Sequence, residues 1–315
     1  MTTSGSGDST GDTAILVRDL RRDYGSFRAV DGVSFDVARG EIYALLGHNG
    51  AGKTTTVEIL EGHRSRSGGA VSVLGFDPAV GGRRFRDRIG IVLQSSGIET
   101  ELSVREVLDL YGSVYSRRRA VDELLDAVDL ADKADVRVGT LSGGQRRRLD
   151  LALGIVGRPD VLFLDEPTTG FDPSARRRSW ELIRSLCSSG TTVLLTTHYL
   201  DEAEHLADRV GVLSGGRLVA EDTPGALVAG LGRTVVSFSS AGLDRTSLGG
   251  VVPQSAEHDG ELIRFTTSTP TADVHRLTAW AIERGLELDR LSVSRPSLED
   301  VFLGLESPGD TEEHR

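Results

Sequence analysis

Cysteine is almost absent from this sequence: Cys187 is the only one among 315 residues. A disulfide bond within the chain is therefore excluded. Cys187 lies in a predicted helix, where a small packing residue is a more common role for cysteine than a reactive thiol. A cytosolic setting agrees with this cysteine content, although other compartments do as well.

Long hydrophobic runs are also missing. No stretch approaches the roughly 18 apolar residues that a membrane-spanning helix requires. Residues 1–13 combine Ser, Thr, Gly and Asp, without the basic and apolar segments of a signal peptide. We expect residues 1–13 and the polar residues 306–315 to be disordered tails. If the protein acts at a membrane, another chain has to supply the membrane-spanning part.

Positive charge is scarce relative to negative charge, and the formal net charge is −11. Because nucleic-acid-binding surfaces are basic, this balance argues against a nucleic acid as partner. Lysine is scarcer still, since 34 of the 36 basic residues are arginine. One of the two lysines, Lys53, follows a glycine-rich stretch. A compact ammonium group fits between two phosphates in a way that a planar guanidinium does not.

The sequence does contain enough apolar residues for a sizeable core, with 38% hydrophobic and 26% charged residues. A chain of 315 residues is expected to form one or two domains. From residue 14 to about 225, apolar runs of strand length alternate with helical patterns, which predicts an α/β domain with a mostly parallel sheet and some antiparallel β-structure. Within it, residues 95–158 turn helical, which indicates an inserted helical subdomain. The alternation of strand and helix patterns over residues 226–305 predicts a small α+β domain. No catalytic or ligand-binding motif is recognised in it.

The individual elements follow from hydrophobic periodicity and from helix-start signals. Predicted strands of the first domain cover residues 14–20, 33–37, 41–46, 89–93, 161–164 and 191–197, with a hairpin of 210–213 and 217–220. Its predicted helices cover 54–60, 103–115, 120–128, 142–158 and 174–187, with one more that starts at Asp201. In the second domain, the predicted strands are 234–239, 261–267 and 286–293, and the predicted helices are 271–284 and 297–305.

The first motif is a glycine-rich loop, residues 47–54, between a predicted strand and a predicted helix. It reads Gly47-His48-Asn49-Gly50-Ala51-Gly52-Lys53-Thr54 and fits the phosphate-loop pattern. In such loops, backbone N–H groups and the positive end of the following helix bind phosphate. We expect Lys53 to bridge the β- and γ-phosphates and the Thr54 hydroxyl to bind Mg²⁺. Kinases, GTPases and ATPases share this motif, so it does not choose among them.

A second motif ends the apolar run Val161–Leu164 with two carboxylates, Asp165 and Glu166. Functional residues of parallel sheets lie at the carboxyl ends of the strands. We expect Asp165 to hold Mg²⁺ through its water shell, and Glu166 to orient and deprotonate the attacking water. An acidic residue at a strand end is often only the start of a loop. The upstream phosphate loop and Pro167 favour the functional interpretation.

Two other predicted strands end in polar residues. We expect His198 to face the γ-phosphate and to hold the water and Glu166 in place; a packing or solvated histidine is the alternative. Gln94 lies where the helical subdomain begins, and its amide can reach Mg²⁺ or the water. A plain polar strand end is the alternative for Gln94.

The segment Leu141-Ser142-Gly143-Gly144-Gln145 combines Ser and Gln at capping-box spacing, so the simplest interpretation is a helix start. The same geometry also exposes N–H groups and the positive end of the helix dipole to an anion. A similar string, residues 213–216, lacks the glutamine and lies in the predicted hairpin, so we assign no chemistry to it.

Taken together and in this order, these motifs resemble those of the ABC-transporter ATPase family over about residues 14–225. Residues 47–54 resemble its Walker A motif, residues 141–145 its signature and residues 161–166 its Walker B motif. The remaining likenesses are Gln94 to the Q-loop, His198 to the H-loop, residues 169–173 to the D-loop and Tyr24 to the aromatic residue that stacks on adenine.

This resemblance implies a P-loop ATPase that uses ATP and Mg²⁺, with two copies of the chain enclosing two ATP molecules. The Ser142 segment of one copy then touches the γ-phosphate held by Lys53 of the other, and Asp172 crosses the dimer seam. The implied nucleotide-binding residues are Tyr24, Gly47, His48, Asn49, Gly50, Ala51, Gly52, Lys53, Thr54, Thr55, Ser142, Gly143, Gly144, Gln145 and Asp172. The implied catalytic residues are Glu166, His198 and Gln94, and the implied metal-binding residues are Thr54, Gln94 and Asp165.

Within that family, the chain is most similar to ATP-binding subunits of drug and antibiotic exporters of the daunorubicin-resistance type. Residues 170–173, 197–203 and 296–303 carry this likeness. His48 and Phe171 stand where the family commonly has Pro and Leu, and neither change removes a catalytic group.

The resemblance implies a peripheral protein at the cytoplasmic face of the membrane, where it drives a separate multi-span permease that exports a hydrophobic compound. The alternative is a soluble ABC ATPase of DNA repair, translation or cluster assembly. Repair members need a long coiled coil and translation members usually carry two ATPase halves, and the sequence has neither.

Overall fold

The computed structural model describes residues 12–92, 97–230, 234–239, 248, 250–253, 256–259, 261–294 and 297–306, without the side chains of 259 and 303–306. Gln94 and the predicted tails, apart from residues 12, 13 and 306, lie outside the described residues. The chain divides into two compact units between Pro224 and Gly225. Among the described residues, no helix combines the length and the apolar character needed to cross a membrane.

The first unit contains nine described strands and seven described α-helices. The strands are β1 (Thr13–Tyr24), β2 (Phe27–Ala38), β3 (Ile42–Leu46), β4 (Gly68–Val73), β5 (Ile89–Val92), β6 (Val161–Asp165), β7 (Thr192–Thr196), β8 (Arg209–Ser214) and β9 (Arg217–Asp222). The helices are α1 (Lys53–Leu60), α2 (Gly82–Arg86), α3 (Val104–Gly112), α4 (Val121–Ala127), α5 (Gly143–Ile155), α6 (Pro173–Ser188) and α7 (Leu200–Leu206).

The larger sheet of this unit has the strand order β5-β6-β7-β3-β8-β9. The strands from β5 to β8 pair in parallel, and only β9 in this sheet runs antiparallel. Strands β3 and β7 are buried along their whole length, which is typical of parallel strands covered on both faces. The predicted mostly parallel α/β fold is confirmed. Because β6, β7 and β3 are neighbours, the segments that follow them start at the same edge of the sheet.

A second, antiparallel sheet has the order β2-β1-β4. Strands β1 and β2 have 12 residues each, longer than the predicted strands 14–20 and 33–37 that lie within them. Strand β4 was not predicted, because it begins Gly68-Gly69-Ala70 and glycine and alanine are depleted in strands. Phe35 of β2 stacks on Tyr43 of β3, with ring centroids 5.1 Å apart, and this contact joins the cores of the two sheets.

The predicted helical subdomain contains α3, α4 and α5. Ser103 caps α3 with the predicted capping box: its hydroxyl accepts from the Glu106 N–H, and the Glu106 carboxylate accepts from the Ser103 N–H. The helix was predicted to reach Tyr115 but ends at Gly112. Glycine weakens a helix, and the hydroxyl of Ser113 donates to the Leu110 carbonyl at 2.6 Å, which competes with continued helical bonding.

Helix α8 (Pro224–Gly230) follows β9 at the boundary, and the second unit then forms an antiparallel sheet of order β11-β12-β10-β13. Its elements are β10 (Thr234–Ser239), β11 (Glu257–Asp259), β12 (Leu262–Thr267), α9 (Pro270–Glu283), β13 (Ser292–Ser294) and α10 (Leu298–Glu306).

The predicted strand 286–293 is wrong, because only residues 292–294 pair with β10. Leu286 and Leu288 alternate as in a strand, but they pack on the core of the second unit from an irregular segment. That segment turns at Arg290, which has a left-handed backbone with φ of 56°.

Candidate nucleotide-binding site

The glycine-rich loop joins β3 to α1 and is pressed against neighbouring backbone. A Cβ atom added to Gly47 would lie 2.5 Å from the Leu213 carbonyl oxygen, and one added to Gly52 would lie 2.6 Å from the Ala29 carbonyl oxygen. Gly52 also has a left-handed backbone, with φ of 102°. Glycine at these two positions therefore allows the close approach that a phosphate-binding loop requires.

The hairpin between β8 and β9 supports this loop. The N–H of Gly216, at the tip of the hairpin, donates to the carbonyl of Ala51 at 3.2 Å. Ala51, which belongs to the loop, is completely buried. The string Leu213-Ser214-Gly215-Gly216 thus supports the site through its backbone.

A cavity of about 920 Å³ lies over the loop, within the size range of small-molecule sites. It contains most of the residues predicted for nucleotide, metal and catalysis. The lining residues are Tyr24, Phe27, Ala29, Gly47, His48, Asn49, Gly50, Gly52, Lys53, Thr54, Thr55, Asp165, Glu166, Thr169 and His198.

Lys53 is the cation at the floor of the cavity. Its Nζ donates to the carbonyl oxygen of Gly47 at 2.5 Å and to that of His48 at 3.1 Å. Burial lowers the pKa of Lys53, while the carboxylates of Glu166 and Asp165 act in the opposite direction. Lys53, Asp165 and Glu166 line the same cavity, so the ammonium group shares the site with the acidic strand end.

Asp165 and Glu166 lie at the carboxyl end of β6 and point into the same cavity. The hydroxyl of Thr196, on the neighbouring β7, donates to Oδ1 of Asp165. The N–H of Glu166 donates to the carbonyl of Thr196 at 3.0 Å. Glu166 has a left-handed backbone with φ of 48°, which is uncommon for a residue other than glycine and is often found at functional sites.

His198 follows β7 and contacts Glu166 directly. Nδ1 of His198 lies 2.8 Å from Oε1 of Glu166, and the Thr169 hydroxyl donates to Oε2 at 3.3 Å. Both carboxylate oxygens of Glu166 therefore have a partner that orients them. When Nδ1 carries the proton in the neutral imidazole, Nε2 is left as the acceptor.

The side chains of Thr54 and Asp165 are the metal-binding candidates within the described residues. Those residues contain no group of three or more His, Cys, Asp or Glu side chains that could hold a metal ion. Mg²⁺ usually keeps several waters and is held by one or two carboxylates together with substrate phosphates. One hydroxyl and one carboxylate in the same cavity fit a metal ion that arrives with a nucleotide.

The segment 142–145 and Asp172 lie elsewhere on the first unit and do not line the cavity formed by its described residues. Ser142 caps α5 with the predicted capping box. A Cβ atom on Gly143 or Gly144 would meet no neighbouring group within 4 Å. Asp172 caps α6 by accepting from the N–H groups of Ser174 and Ala175, both at 2.9 Å, and these bonds lower the pKa of Asp172.

Tyr24 ends β1 at the rim of the cavity, where arginines surround it. Nη1 of Arg64 donates to the Tyr24 hydroxyl at 2.5 Å, and the guanidinium carbon of Arg22 lies 4.6 Å from the ring centroid. Phe27 pairs with Tyr24 across the β1–β2 turn and is 63% exposed in the same cavity. Phe27 was not predicted as a site residue, because nothing local distinguishes it from other strand residues.

Two buried charged residues near the acidic strand end were also missed. Arg147 of α5 donates to backbone carbonyls at the end of β6. Glu202 of α7 is completely buried, and its Oε1 accepts from the Thr168 hydroxyl at 2.8 Å and from the Trp180 indole at 3.1 Å. Burial raises the pKa of Glu202. This carboxyl group ties together the segments that follow β6, β7 and Asp172.

Comparison with known proteins agrees with this geometry. Residues 30–169 match the ABC transporter family. Residues 234–297 match a second family, described as the C-terminal domain of proteins like ABC transporter domain-containing protein. The chain is 41% identical over 311 residues to the daunorubicin resistance ATP-binding protein DrrA3 of Streptomyces coeruleorubidus, covering 93% of this chain and 96% of that protein. The chain belongs to the ABC-transporter ATPase family. It binds nucleotide, hydrolyses ATP and has the fold that the sequence motifs implied.

Other members of the family are similar over nearly the same length. The Nod factor export ATP-binding protein I of Burkholderia orbicola is 42% identical over 296 residues, covering 91% of this chain and 95% of that protein. A solved ATP-binding subunit of an ABC transporter superposes with a TM-score of 0.65 at 29% identity, covering 70% of this chain and 94% of that chain. The predicted likeness to the daunorubicin-resistance type is confirmed.

Proposed function

We propose that this ABC ATPase drives export of a hydrophobic drug or antibiotic through a separate multi-span permease, with two copies of the chain enclosing two ATP molecules. The observation that carries the proposal is a single cavity in which Lys53, Asp165, Glu166 and His198 meet at three neighbouring strand ends. A cation for phosphates, a ligand for Mg²⁺ and an oriented carboxylate are the parts that ATP hydrolysis requires.

Binding begins at the phosphate loop. Lys53 exchanges its contacts with the Gly47 and His48 carbonyls for the β- and γ-phosphates, since a phosphate oxygen is a stronger acceptor for an ammonium group. Thr54 and Asp165 would hold Mg²⁺, which would offset part of the negative charge of the phosphates. The adenine base stacks on Tyr24, which the Arg64 contact holds at the rim. Gln94 remains a predicted ligand outside the described residues.

Hydrolysis then depends on Glu166. This carboxylate orients a water molecule and accepts its proton as the water oxygen attacks the γ-phosphorus, and the bond to ADP breaks. His198 and Thr169 hold the two carboxylate oxygens, so the orientation of Glu166 is set before the water arrives. The products are ADP and inorganic phosphate.

The second copy completes the site through Ser142. Ser142 and Gly143 are exposed at the start of α5, and helix N-termini with small residues leave N–H groups open to an anion. In the proposed dimer, this segment of one copy contacts the γ-phosphate held by Lys53 of the other. Asp172, which is also exposed, lies at the seam.

The transport direction is supported by the similar proteins. One is a daunorubicin resistance ATP-binding protein and another a Nod factor export ATP-binding protein. We infer export for this chain as well, from a peripheral position at the cytoplasmic face of a membrane. Co-purification of a multi-span protein with the tagged chain from detergent-solubilised membranes tests this part, and its absence would count against the transporter assignment.

Glu166→Gln tests the catalytic assignment. The amide keeps the size of the side chain but cannot accept the proton, so kcat is expected to fall about 100-fold or more. ATP binding is expected to persist, and the variant should accumulate as an ATP-bound dimer on a size-exclusion column. Glu181→Gln, an exposed carboxylate of α6, serves as the matched control. Wild-type turnover in Glu166→Gln would remove Glu166 from its role.

A further inference from the structure

Arg147 connects helix α5 to the strand end that carries the catalytic carboxylates. Its Nη2 donates to the carbonyl oxygens of Asp165 at 2.6 Å and Glu166 at 2.7 Å, and its Nε donates to that of Pro167 at 3.3 Å. Arg147 is only 7% exposed. One buried guanidinium therefore holds three consecutive peptide carbonyls.

These carbonyls control the direction of the Glu166 side chain. The carbonyls of Asp165 and Glu166 belong to the two peptide planes on either side of the Glu166 Cα atom. That residue has a left-handed backbone, which persists in proteins only where surrounding contacts hold it. Charge-assisted hydrogen bonds are stronger than neutral ones, and the planar guanidinium presents its donors in a fixed arrangement. Arg147 thus has the geometry to hold this backbone conformation.

The two neighbouring arginines make different contacts. Nη2 of Arg146 donates to the carbonyl of Ile98 at 3.4 Å, and Nη1 of Arg148 donates to the carbonyl and the carboxylate of Asp129, both at 2.7 Å. Both of these contacts are to the helical subdomain, whereas Arg147 reaches the end of β6. The chain therefore provides matched controls for Arg147 on the same helix.

The position of Arg147 on α5 also connects its contacts to the start of that helix. It lies five residues after Ser142, the N-cap of the same helix. At a rise of 1.5 Å per residue, this separation is about 7.5 Å along the axis. A helix is rigid over such a length, so a shift of the Ser142 end moves the backbone of Arg147 as well.

We infer that Arg147 is a positioning residue that holds Glu166 in its hydrolytic position and makes that position depend on the placement of α5. The inference rests on the proposed function, in which Ser142 contacts the nucleotide of the partner copy and Glu166 acts on the nucleotide of its own copy. Contact of Ser142 with one nucleotide then influences hydrolysis of the other, and Arg147 is the link within each copy.

The first test compares Arg147→Met with Arg146→Met in the full-length chain. Methionine keeps an unbranched stem and removes the donors. Arg147→Met is expected to lower kcat about tenfold or more while the KM for ATP changes less than twofold, and Arg146→Met to leave both near wild type. In the Glu166→Gln background, Arg147→Met should still form the ATP-bound dimer. A normal kcat, or a loss confined to KM, would contradict the inference.

Arg147→Lys covers the case in which Arg147→Met does not fold. A lysine ammonium keeps the charge but lacks the planar fork that spans the carbonyls. It is expected to give a kcat between those of the wild type and Arg147→Met, with an unchanged KM for ATP. A wild-type kcat for Arg147→Lys, with Glu166→Gln inactive, would overturn the inference and leave the proposed function intact.

Mixed dimers, purified with a different affinity tag on each copy, show which of the two ATP sites is slowed by Arg147→Met. When one copy carries Arg147→Met and the other Glu166→Gln, the remaining competent site uses the Glu166 of the Arg147→Met copy, and slow turnover is expected. When one copy carries both changes and the other is wild type, the competent site has an intact Arg147 beside its Glu166, and about half of wild-type turnover is expected. If the first mixed dimer turned over ATP normally and the second slowly, Arg147→Met would act through the Ser142 end of α5, and the inference would be wrong. Substantial turnover in the Glu166→Gln homodimer would instead reject the proposed function.

Discussion

Gly50 and Gly52 lie two residues apart in the phosphate loop and both have left-handed backbones, with φ of 85° and 102°. Their surroundings differ. A Cβ atom at Gly50 would meet nothing within 4 Å, whereas one at Gly52 would lie 2.6 Å from the Ala29 carbonyl oxygen of β2. Both positions disfavour an L-residue, but only Gly52 combines the unfavourable dihedral angle with a collision against fixed backbone.

Gly52→Ala and Gly50→Ala therefore form a matched pair. Gly50→Ala is expected to destabilise the fold by about 1–2 kcal/mol, the usual cost of a left-handed L-residue, and to retain ATP binding. Gly52→Ala is expected to lose ATP binding, because the loop must move away from β2 to accommodate the methyl group. Thermal unfolding and ATP titration of both variants check this, and equal ATP affinity in the two would refute the close-packing argument.

Glu61 is another residue whose surroundings change its chemistry. It directly follows the last residue of α1 and is only 5% exposed, with His63 Nδ1 3.3 Å from its Oε2. Burial raises the pKa of Glu61 from its ordinary value of 4.5 to about 8, and the nearby carboxylates of Asp165 and Glu58 act in the same direction. The folded chain therefore keeps a proton on Glu61 at pH values where the unfolded chain has lost it.

This shift predicts a pH dependence of stability that Glu61→Gln should remove. The contribution of Glu61 is fully present below about pH 4.5 and is lost as the pH rises towards 8. Over that window, the wild type should lose stability relative to Glu61→Gln, with a slope of at most about 1.4 kcal/mol per pH unit. Urea unfolding of the nucleotide-free proteins from pH 5 to 9 measures the difference, and parallel curves would contradict the prediction.

Among the elements, α3 and α5 begin with the same device. Ser103 with Glu106 and Ser142 with Gln145 each form a complete capping box, in which side chain and backbone satisfy each other at the helix start. The two helices belong to the same subdomain, but only α5 has glycines at its first two positions. The difference between a structural cap and a phosphate-contacting cap is therefore open to direct comparison within one chain.

Ser103→Ala and Ser142→Ala should have the same effect on stability and different effects on activity. Loss of an N-cap hydroxyl is expected to cost each helix about 1 kcal/mol. Ser103→Ala should keep the wild-type kcat, because α3 has no proposed contact with nucleotide. Ser142→Ala should also lower ATPase activity and weaken ATP-dependent dimers. Thermal unfolding measures the loss of stability, and steady-state assays measure the ATPase activity of both variants. Equal activity in the two variants would leave Ser142 with a capping role alone.

For the whole molecule, the site of the first unit is divided into a cavity and an exposed segment. The cavity gathers residues from Tyr24 to His198. Ser142 and Asp172 are exposed and lie outside this cavity as the described residues form it. In the proposed dimer, neither copy can complete the contacts to the γ-phosphate without the other.

Turnover should therefore depend on protein concentration. We expect the ATPase rate per chain to fall as the protein is diluted through the dimer dissociation range, because the monomer lacks the Ser142 segment of a partner. Steady-state assays in parallel with light scattering measure both quantities on the same samples. A rate per chain that stays constant where scattering shows only monomers would exclude the shared site.

Local sequence patterns determined much of this protein. The apolar runs of β3, β6 and β7, the phosphate loop and both capping boxes could be predicted because each depends on residues within a few positions of one another. Asp165, Glu166 and His198 could be predicted as site residues because they follow parallel strands, and the carboxyl ends of such strands meet at one edge of a sheet.

The tertiary structure alone decided which similar residues have different roles. Arg146, Arg147 and Arg148 are indistinguishable in the sequence, but α5 packs on β5 in a position that buries Arg147 against the backbone of Glu166. The apolar alternation at 286–293 predicts a strand, yet only its last residues find a partner in β10. Burial and strand pairing depend on residues distant in the chain, and no local pattern records which of them will come into contact.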